Sequence, residues 1–457
     1  MKSLIQLFFF IISLILFFGA PDKYNYPFNS IVTIVFLLQS IPFIINRSKK
    51  NYVNFYTLFF TSFFFVNFFY PTVLYPIDPK FFTVFSLPFD STYINKGTAL
   101  SQLLTSSFIL GASSIKNVNN RLEHNNLNKF LLSHYSVTRF TIFLFFLFVA
   151  TVGREFLAGN FKEHSSLSVY ILQLLTCSFI LSSILFFRNL DLLKSKRMYI
   201  ITVGIYVILF LSIGDRGPAL NLLLLIVGLY SIHVKTISAK YLIILGISGL
   251  TLMHLVGLGR TSNVDEINGN IISRGIERTQ NESQFQSIYS LTQSFVVNNR
   301  NLYVGMEYVD KNGINWGSTS ILTATISVVP FAQSAIEKLT GYELQTSSDF
   351  LTTLTFGKQR SYGLGSNLVV DVYLSFGSVG AVLLFLLFGR FIESIRKKVL
   401  QDTTNIYFSI IYFTLLSYSI YYPRTGLFMP MKYIIWTLII YYMFRQFEKQ
   451  KIKHVRH

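Results

Sequence analysis

Long apolar stretches separated by short polar segments run through most of the chain. A helix that crosses a bilayer needs about 20 apolar residues, because each backbone amide must find its partner inside the hydrocarbon. The pattern therefore predicts an all-α integral membrane protein with about twelve transmembrane helices. We expect them at residues 3–20, 28–46, 52–75, 97–115, 137–157, 167–187, 199–213, 218–234, 240–258, 367–391, 404–422 and 427–445.

The first of these stretches also has the length of a signal-peptide core. The residues Gly19-Ala20 before Pro21 make a poor cleavage site. We therefore expect a first membrane helix here rather than a cleaved leader.

Lysine and arginine are distributed unequally between alternate connecting segments. Cytoplasmic segments of membrane proteins collect these cations, so their distribution tests the layout independently of hydropathy. With the N-terminus inside, the inner segments hold 23 cations and the short outer segments hold 8. The sequence therefore predicts a multi-pass protein with both termini in the cytoplasm.

The remaining 8 cations lie in the longest polar segment, between the ninth and tenth predicted helices. We expect this segment to be a large extracytoplasmic loop. Apolar residues at helical spacing from Phe285 to Val296, and an apolar stretch over 318–339 broken by Pro330, predict segments in the membrane interface or dipping into the bundle. The chain is thus divided into nine helices at 1–258, the loop at 259–366, and three helices with a cytoplasmic tail at 367–457.

Composition narrows the function classes. Hydrophobic residues make up 51% of the chain and charged residues 13%, and the mean hydropathy is +0.48, which excludes a water-soluble domain of this length. The net charge of +18 does not indicate a nucleic-acid partner, because the cations lie in short gaps rather than on one basic face. Membrane lipids are the expected surroundings.

Residues that bind metals or nucleotides are sparse in the sequence. Cys177 is the only cysteine and lies in an apolar stretch, which excludes an intrachain disulfide and a thiolate metal site. No Asp-x-Asp pair or histidine cluster has metal-ligand spacing, and no glycine-rich phosphate loop occurs in the inner segments. We therefore predict a metal-independent protein without a cofactor.

Arginine, rather than lysine, is the cation gathered at the outer ends of the predicted helices and in the loop. Its fixed fork of donors binds phosphate or carboxylate at two points, whereas lysine is a mobile point charge. This bias favours an anion site at the outer mouth of the bundle, with headgroup contacts or ion pairs as the alternative. The arginines concerned are Arg154, Arg216, Arg260, Arg274, Arg278, Arg300, Arg360 and Arg424.

Three ionisable residues are candidates for catalysis. Asp371 lies a few residues into the tenth predicted helix, where a carboxylate is costly and usually faces the protein interior or a wet cavity. It is expected to pair with an arginine, to position a substrate or to act as a base. His254 lies at a similar depth in the ninth helix, and both hydrogen-bonded packing and a role as base stay open. The loop acids, Glu282 among them, are further candidates for deprotonating a hydroxyl.

Three segments follow one another in a recognisable order. Gly214-Asp215-Arg216-Gly217-Pro218 opens the eighth predicted helix, the loop holds Gly317-Ser318-Thr319-Ser320 and then Val329-Pro330, and Gly365 to Gly380 covers the start of the tenth helix. In the last segment a glycine precedes Asp371 and Tyr373, and Phe376-Gly377 follows. This arrangement resembles the Wzy-type polymerases of oligosaccharide repeat units in O-antigen and capsule pathways, in which Glu is common where this chain has Asp371.

The resemblance implies a GT-C-like membrane glycosyltransferase fold. It implies substrates carried on undecaprenyl diphosphate at the outer face of the bacterial cytoplasmic (inner) membrane, with a flippase and a chain-length regulator as protein partners. Arginines of the outer side would bind the diphosphate, and Asp371, His254 or Glu282 would serve catalysis. The arginines that correspond by position are Arg216, Arg260, Arg274, Arg278 and Arg360, to which the turn position adds Arg424.

Two other functions stay open. An O-antigen ligase also has about twelve helices, a large outer loop and arginines for a diphosphate, and a flippase or other transporter of lipid-linked oligosaccharide also has about twelve helices. The start of the tenth helix favours the polymerase over the ligase. The long loop and the nearly uncharged middle of the helices favour an enzyme over a transporter. A membrane acyltransferase and a polymerase of peptidoglycan precursor fit the residues less well.

Overall fold

The computed structural model describes residues 2–115, 134–153, 166–188, 193–259, 273, 275–277, 288–357 and 363–455. These ranges contain helices and no strand. The helices are α1 (Lys2–Phe18), α2 (Tyr26–Ser48), α3 (Phe55–Asn67), α4 (Tyr93–Ser113), α5 (His134–Thr151), α6 (Ser166–Arg188), α7 (Leu193–Ile213), α8 (Arg216–His233), α9 (Ala239–Leu258), α10 (Asn299–Asn312), α11 (Ala332–Thr340), α12 (Ser347–Phe356), α13 (Leu368–Gln401), α14 (Ile406–Ser417) and α15 (Met431–Val455). The prediction of an all-α chain is confirmed for this part of the sequence.

Every stretch predicted to cross the membrane contains a helix, namely α1 to α9 and α13 to α15. Within the described ranges, 7 helices are long and apolar enough to span a bilayer: α2, α5, α6, α7, α8, α9 and α13. The apolar helices α1, α3 and α14 are shorter. Length and composition therefore show a multi-pass membrane protein.

Asparagine side chains cap the N-termini of several of these helices. The side-chain oxygens of Asn25, Asn54, Asn367 and Asn405 accept hydrogen bonds from backbone N–H groups in the first turns of α2, α3, α13 and α14. The first four N–H groups of a helix have no partner inside it, and a capping oxygen satisfies one or two of them. Part of the asparagine content thus has a structural cause.

Helices α4 and α13 pack against each other at backbone distance. A Cβ added to Gly111 would lie 1.9 Å from the carbonyl oxygen of Leu386, and one added to Gly389 would lie 2.0 Å from that of Phe108. Only glycine permits this approach, which is the usual way in which membrane helices gain close contact. The packing places α13 in the centre of the described bundle.

The tenth predicted helix differs from the expectation over 367–391. It extends to Gln401 and is interrupted at Gly377, where φ is +64° and ψ is −169°. This conformation is essentially restricted to glycine. The segment before the break, from Leu368 to Ser375, is buried on all sides, so it is a short helix enclosed by protein rather than the end of a lipid-facing span.

Helix α14 ends at Ser417, well before the expected boundary at 422, and α15 starts only at Met431. The connecting turn, residues 418–430, reaches back into the bundle. Its Tyr422 ring lies 5.3 Å from the ring of Phe388 and 5.8 Å from that of Phe55, measured between centroids. A turn among core aromatics places its other residues inside the protein as well.

The described part of the long polar segment is folded against the bundle. Helix α10 packs on α4 and α13, since a Cβ on Gly97 would meet the Tyr303 ring at 3.1 Å and one on Gly305 would meet Val370 at 2.0 Å. Pro330 separates the short helix Thr323–Ile326 from α11, as its position predicted. The interfacial location of this stretch stays a prediction.

A buried ionic cluster lies near the C-terminal end of α13. It was not predicted from the sequence. The Glu393 carboxylate is 0% exposed and accepts hydrogen bonds from Arg47 at 2.8 Å, from Arg396 at 2.8 and 3.0 Å, and from the Tyr56 hydroxyl at 2.7 Å. Lys397 lies 3.6 Å away. This Glu393 cluster joins α2, α3 and α13.

Candidate functional site

The candidate site lies where the start of α13, the start of α10 and the turn 418–430 meet. Asp371 is the fourth residue of α13 and is 0% exposed. Its Oδ2 accepts a hydrogen bond from the backbone N–H of Leu427 at 2.9 Å, and a Cβ on Gly426 would lie 3.2 Å from both carboxylate oxygens. The carboxylate therefore holds the turn against α13.

Asp371 has a second neighbour in Ser347, whose side chain lies close enough to interact with the carboxylate. The Ser347 hydroxyl is also hydrogen-bonded to that of Ser366 at 2.9 Å. Pairing with an arginine, one of the roles expected for Asp371, is not among its contacts with described residues. The contacts fit a positioning role for this carboxylate.

Arg424 lies in the turn that Asp371 holds. Its Nε donates to Asn298 Oδ1 at 3.0 Å, its guanidinium lies 5.5 Å from the centroid of the Phe295 ring, and its carbonyl accepts from the Ser366 N–H at 3.3 Å. The side chain is half-buried. Among the described residues, only the Nε of this guanidinium has a hydrogen-bond partner, so its terminal NH₂ groups can bind other partners.

No carboxylate of the described residues forms a salt bridge with Arg424. Burial lowers the pKa of this guanidinium to about 10, and the neighbouring positive charge of Arg216 acts in the same direction. The group thus stays charged at neutral pH while it is partly withdrawn from water. A half-buried cation in this state gains more from an anionic ligand than an exposed one does.

Arg216 approaches the same place from α8, of which it is the first residue. One of its terminal nitrogens donates to the carbonyl of Met253 on α9. A Cβ on Gly257 would lie 2.9 Å from that nitrogen, so the glycine makes room for the side chain. Asp215 caps the start of the helix through the N–H of Gly217 at 3.3 Å, and its charge acts on Arg216.

Tyr421 lies near both arginines. Arg216 and Arg424 are close enough to act on each other electrostatically, and both act on the Tyr421 phenol. This tyrosine was not predicted from the sequence, although it lies only three residues before Arg424 in the same turn. We call Arg216, Arg424 and Tyr421 the arginine site.

Asparagines build the support beneath the arginine site. Asn298 and Asn301 donate to the carbonyl of Leu364 at 3.0 and 3.1 Å, and Asn367 donates to Asn67 Oδ1 at 2.9 Å. Gly365 has a φ of +74°, and a Cβ there would lie 2.6 Å from the Asn298 amide nitrogen. The bonds tie α3, α10 and α13 together. They were not predicted from the sequence, because single polar residues give no periodic signal.

Arg300 differs in its contacts from the other described arginines of the expected outer side. It is 1% exposed, and its guanidinium donates to the carbonyls of Leu87 and Pro88 and to Thr355 Oγ1 at 3.0 Å. Its donors are therefore used within the protein. It anchors the segment before α4 to α10 and α12, which is a structural task.

His254 lies near the arginine site, on α9 next to Met253, whose carbonyl binds Arg216. Its Nε2 lies 3.4 Å from the hydroxyl of Ser290. The structure thus brings Arg216, Arg424, Asp371 and His254 to the same end of the bundle. Six further predicted residues lie outside the described part of the chain: Arg154, Arg260, Arg274, Arg278, Arg360 and Glu282.

The arrangement is suited to binding an anion. Arg216 and Arg424 lie close enough to act on each other, and no described carboxylate forms a salt bridge with either of them. Neutral asparagines support the site. Among the described residues there is no group of three or more His, Cys, Asp or Glu side chains that could hold a metal ion. The charge that this site offers to a ligand comes from its arginines.

The comparisons with known proteins give one match. The family model described as O-antigen polysaccharide polymerase Wzy matches residues 2–451, nearly the whole chain. No curated protein and no solved structure matches the chain. The long apolar helices, the ordered motifs and this match lead to one conclusion: the chain belongs to the Wzy family of O-antigen polysaccharide polymerases.

Proposed function

We propose that this protein joins undecaprenyl-diphosphate-linked oligosaccharide repeat units into O-antigen or capsular polysaccharide. Membership of the family supports the role of a membrane polysaccharide polymerase. The observation that carries the finer proposal is the arginine site, where two cations converge without a salt-bridge partner among the described residues. A diphosphate carries the charge and the geometry that two guanidinium forks bind best.

The proposed topology has about twelve crossings in a GT-C-like arrangement, with both termini in the cytoplasm of a bacterial inner-membrane protein. Residues 1–258 and 367–457 form the membrane part, and 259–366 form the extracytoplasmic loop. The Glu393 cluster supports this layout, because Arg47 and Arg396 come from two segments that charge counting places on the same side. The arginine site then lies towards the outer face.

The proposed reaction is a glycosyl transfer. A hydroxyl oxygen of one repeat unit attacks the anomeric carbon of the glycan on the other lipid, the bond from that carbon to the diphosphate oxygen breaks, and the lipid diphosphate leaves. Arg216 and Arg424 stabilise the negative charge that the leaving group gains, with each charge-assisted contact contributing about 1.5–3 kcal/mol. This step needs no metal or other cofactor if the arginines supply the positive charge.

A base must take the proton of the attacking hydroxyl. His254 and Glu282 are the candidates for this task. Asp371 is fully buried and bonded to the Leu427 amide, which favours a role in holding the turn of Arg424 over direct proton transfer. A flippase that delivers substrate and a regulator of chain length are the proposed protein partners.

The test uses the purified full chain in liposomes with lipid-linked repeat units from the producing strain. Arg216→Gln and Arg424→Gln should each lower the rate of polymer formation by on the order of 10- to 100-fold, because each removes charge-assisted contacts to the leaving group. Arg139→Gln is the control, since Arg139 is an exposed arginine on α5. Polymer is measured as the ladder of chain lengths on a gel.

A normal ladder from both variants at normal protein level would contradict the proposal. Transfer of the glycan to a lipid A acceptor without polymer growth would indicate a ligase. Movement of the lipid-linked glycan across the bilayer without a new glycosidic bond would indicate a flippase.

A further inference from the structure

An apolar groove opens on the side of the bundle next to the arginine site. Its volume is about 380 Å³, and it lies between α13, α14 and α15. The side chains that form its walls are those of Leu384, Leu387, Phe391, Ile411, Leu415 and Ile435. Leu387 is 57% exposed and Phe391 is 44% exposed, so the groove is accessible from the lipid side of these helices.

The end of the groove is closed by the turn 418–430. Tyr422, Leu427 and Phe428 of this turn line the groove, while Arg424 between them faces Asn298 and the arginine site. Consecutive Cα atoms are about 3.8 Å apart, so Arg424 and Leu427 are separated by at most about 11 Å of chain. One turn thus has an apolar face on the groove and a cationic face on the site.

Asp371 connects these two faces. Its bond to the Leu427 N–H at 2.9 Å fixes the residue that lines the groove, and the same turn carries Arg424. A movement of the groove end would therefore shift the guanidinium. The groove and the arginine site therefore lie on two faces of the same turn, which Asp371 holds in place.

We propose that this groove binds the first isoprene units of a polyprenyl diphosphate whose head group lies at Arg216 and Arg424. The proposal rests on the proposed function and names the part of the protein that holds the lipid of the substrate. An amphiphile with an anionic head and a long, methyl-branched chain matches the cations on one face of the turn and the apolar walls of the groove on the other. The chain enters the groove sideways from the bilayer.

Burial of the tail in the groove gives little hydrophobic free energy, because the tail leaves lipid rather than water. What it supplies is orientation. A tail held between three helices fixes the direction in which the diphosphate meets the arginines and keeps the reacting carbon near the incoming hydroxyl. We therefore expect the groove to affect the polymerisation rate at a limiting concentration of the lipid-linked donor more than the total amount of lipid bound.

The first experiment maps the tail directly. The full chain in lipid nanodiscs is irradiated with a polyprenyl diphosphate that carries a photoreactive diazirine on its second isoprene unit, and cross-linked peptides are identified by mass spectrometry. Cross-links are expected on Leu387, Phe391 and Ile435, and excess undecaprenyl diphosphate should remove them, whereas undecaprenol and phospholipid should not. Cross-links spread evenly over other lipid-facing helices, or equal competition by phospholipid, would overturn the proposal and leave an ordinary lipid-filled crevice.

The second experiment fills the groove. Leu387→Trp adds bulk at its wall and should lower the cross-link yield and the polymerisation rate at limiting donor by about tenfold, the size expected when an apolar site is overpacked. Ile243→Trp is the matched control, because Ile243 on α9 is 60% exposed and lies outside the groove. Equal behaviour of the two variants would overturn the assignment of the groove.

The outcomes separate this proposal from the proposed function. If the groove cross-links to the probe and Arg424→Gln abolishes this, while no variant changes polymer formation, the lipid site stands and the polymerase chemistry fails. If Arg424→Gln stops polymer formation while Leu387→Trp behaves as Ile243→Trp does, the chemistry stands and the groove is refuted.

Discussion

Cationic side chains gather at two places in this protein, and their surroundings differ. In the Glu393 cluster, Arg47, Arg396 and Lys397 surround a carboxylate that is 0% exposed. In the arginine site, Arg216 and Arg424 meet a backbone carbonyl, an asparagine and an aromatic ring. The cations of the first set share one buried carboxylate, whereas those of the second set form no salt bridge with any described residue.

The difference separates charge that is paired inside the protein from charge that has no salt-bridge partner among the described residues. A buried ion pair satisfied on all sides fixes the helices that carry it, and the loss of one partner leaves uncompensated charge. Cations held in place by neutral groups keep their field available to a ligand. The number of arginines alone does not distinguish these two kinds of charge. Arg300 belongs to the expected outer set, and yet its guanidinium donates hydrogen bonds to backbone and threonine oxygens within the protein.

The largest effect on stability is expected at Glu393. Glu393→Gln keeps the shape of the side chain but removes the charge that three cations share, so the free energy of unfolding should fall by about 3–5 kcal/mol. Thermal unfolding in detergent, followed by intrinsic fluorescence, measures this change. Lys96→Gln is the control, because the Lys96–Asp310 pair at 3.1 Å is 38% and 35% exposed and should contribute only about 0.2–1 kcal/mol. Equal melting temperatures for both variants would refute the structural role of the cluster.

A matched pair of conservative changes sharpens the comparison further. Arg424→Lys removes the fork and the Nε–H bond to Asn298, so polymer formation should fall by about tenfold or more while the melting temperature stays near that of the parent. Arg47→Lys should do the reverse, with a lower melting temperature and unchanged activity per folded molecule. Activity assays and thermal unfolding on the same preparations measure both effects. If both variants lose stability to the same extent, the distinction between the arginine site and the Glu393 cluster is refuted.

A smaller effect is expected at the break in α13. Gly377→Ala places a side chain on a φ of +64° and should cost about 1–3 kcal/mol, because the strain lies in the backbone and not in crowding; the nearest atom to an added Cβ is 3.7 Å away on Ile314. The control is Gly246→Ala in α9, where an added Cβ meets nothing within 4 Å and helix propensity favours alanine by about 0.5–1 kcal/mol. If both variants have the same melting temperature, the break is not a strained position.

Much of the helical layout could be predicted from hydropathy, because an apolar stretch in lipid can satisfy its backbone only as a helix. Where the predicted helix boundaries differ from the structure, the cause is either local or long-range. Gly377 interrupts α13 through its own backbone conformation, whereas α14 stops at Ser417 because the following turn packs its Tyr422 among Phe55 and Phe388. The second cause depends on the contact between Phe55 and Tyr422, which are more than 300 positions apart, and local periodicity carries no information about such a contact.

For the site, the sequence by itself determined which arginines stand at helix mouths, Arg216 and Arg424, and that an acid lies just inside α13. Only the tertiary structure decided what these groups do. In the folded chain, Asp371 accepts a hydrogen bond from the amide of Leu427, and Arg300 donates to backbone oxygens. Arg47, Arg396 and Lys397 form salt bridges with Glu393. The physical reason is that the free energy of a charged group depends on its burial and on partners from distant segments of the chain. The tendency of an apolar stretch to form a helix in lipid depends only on the residues of that stretch.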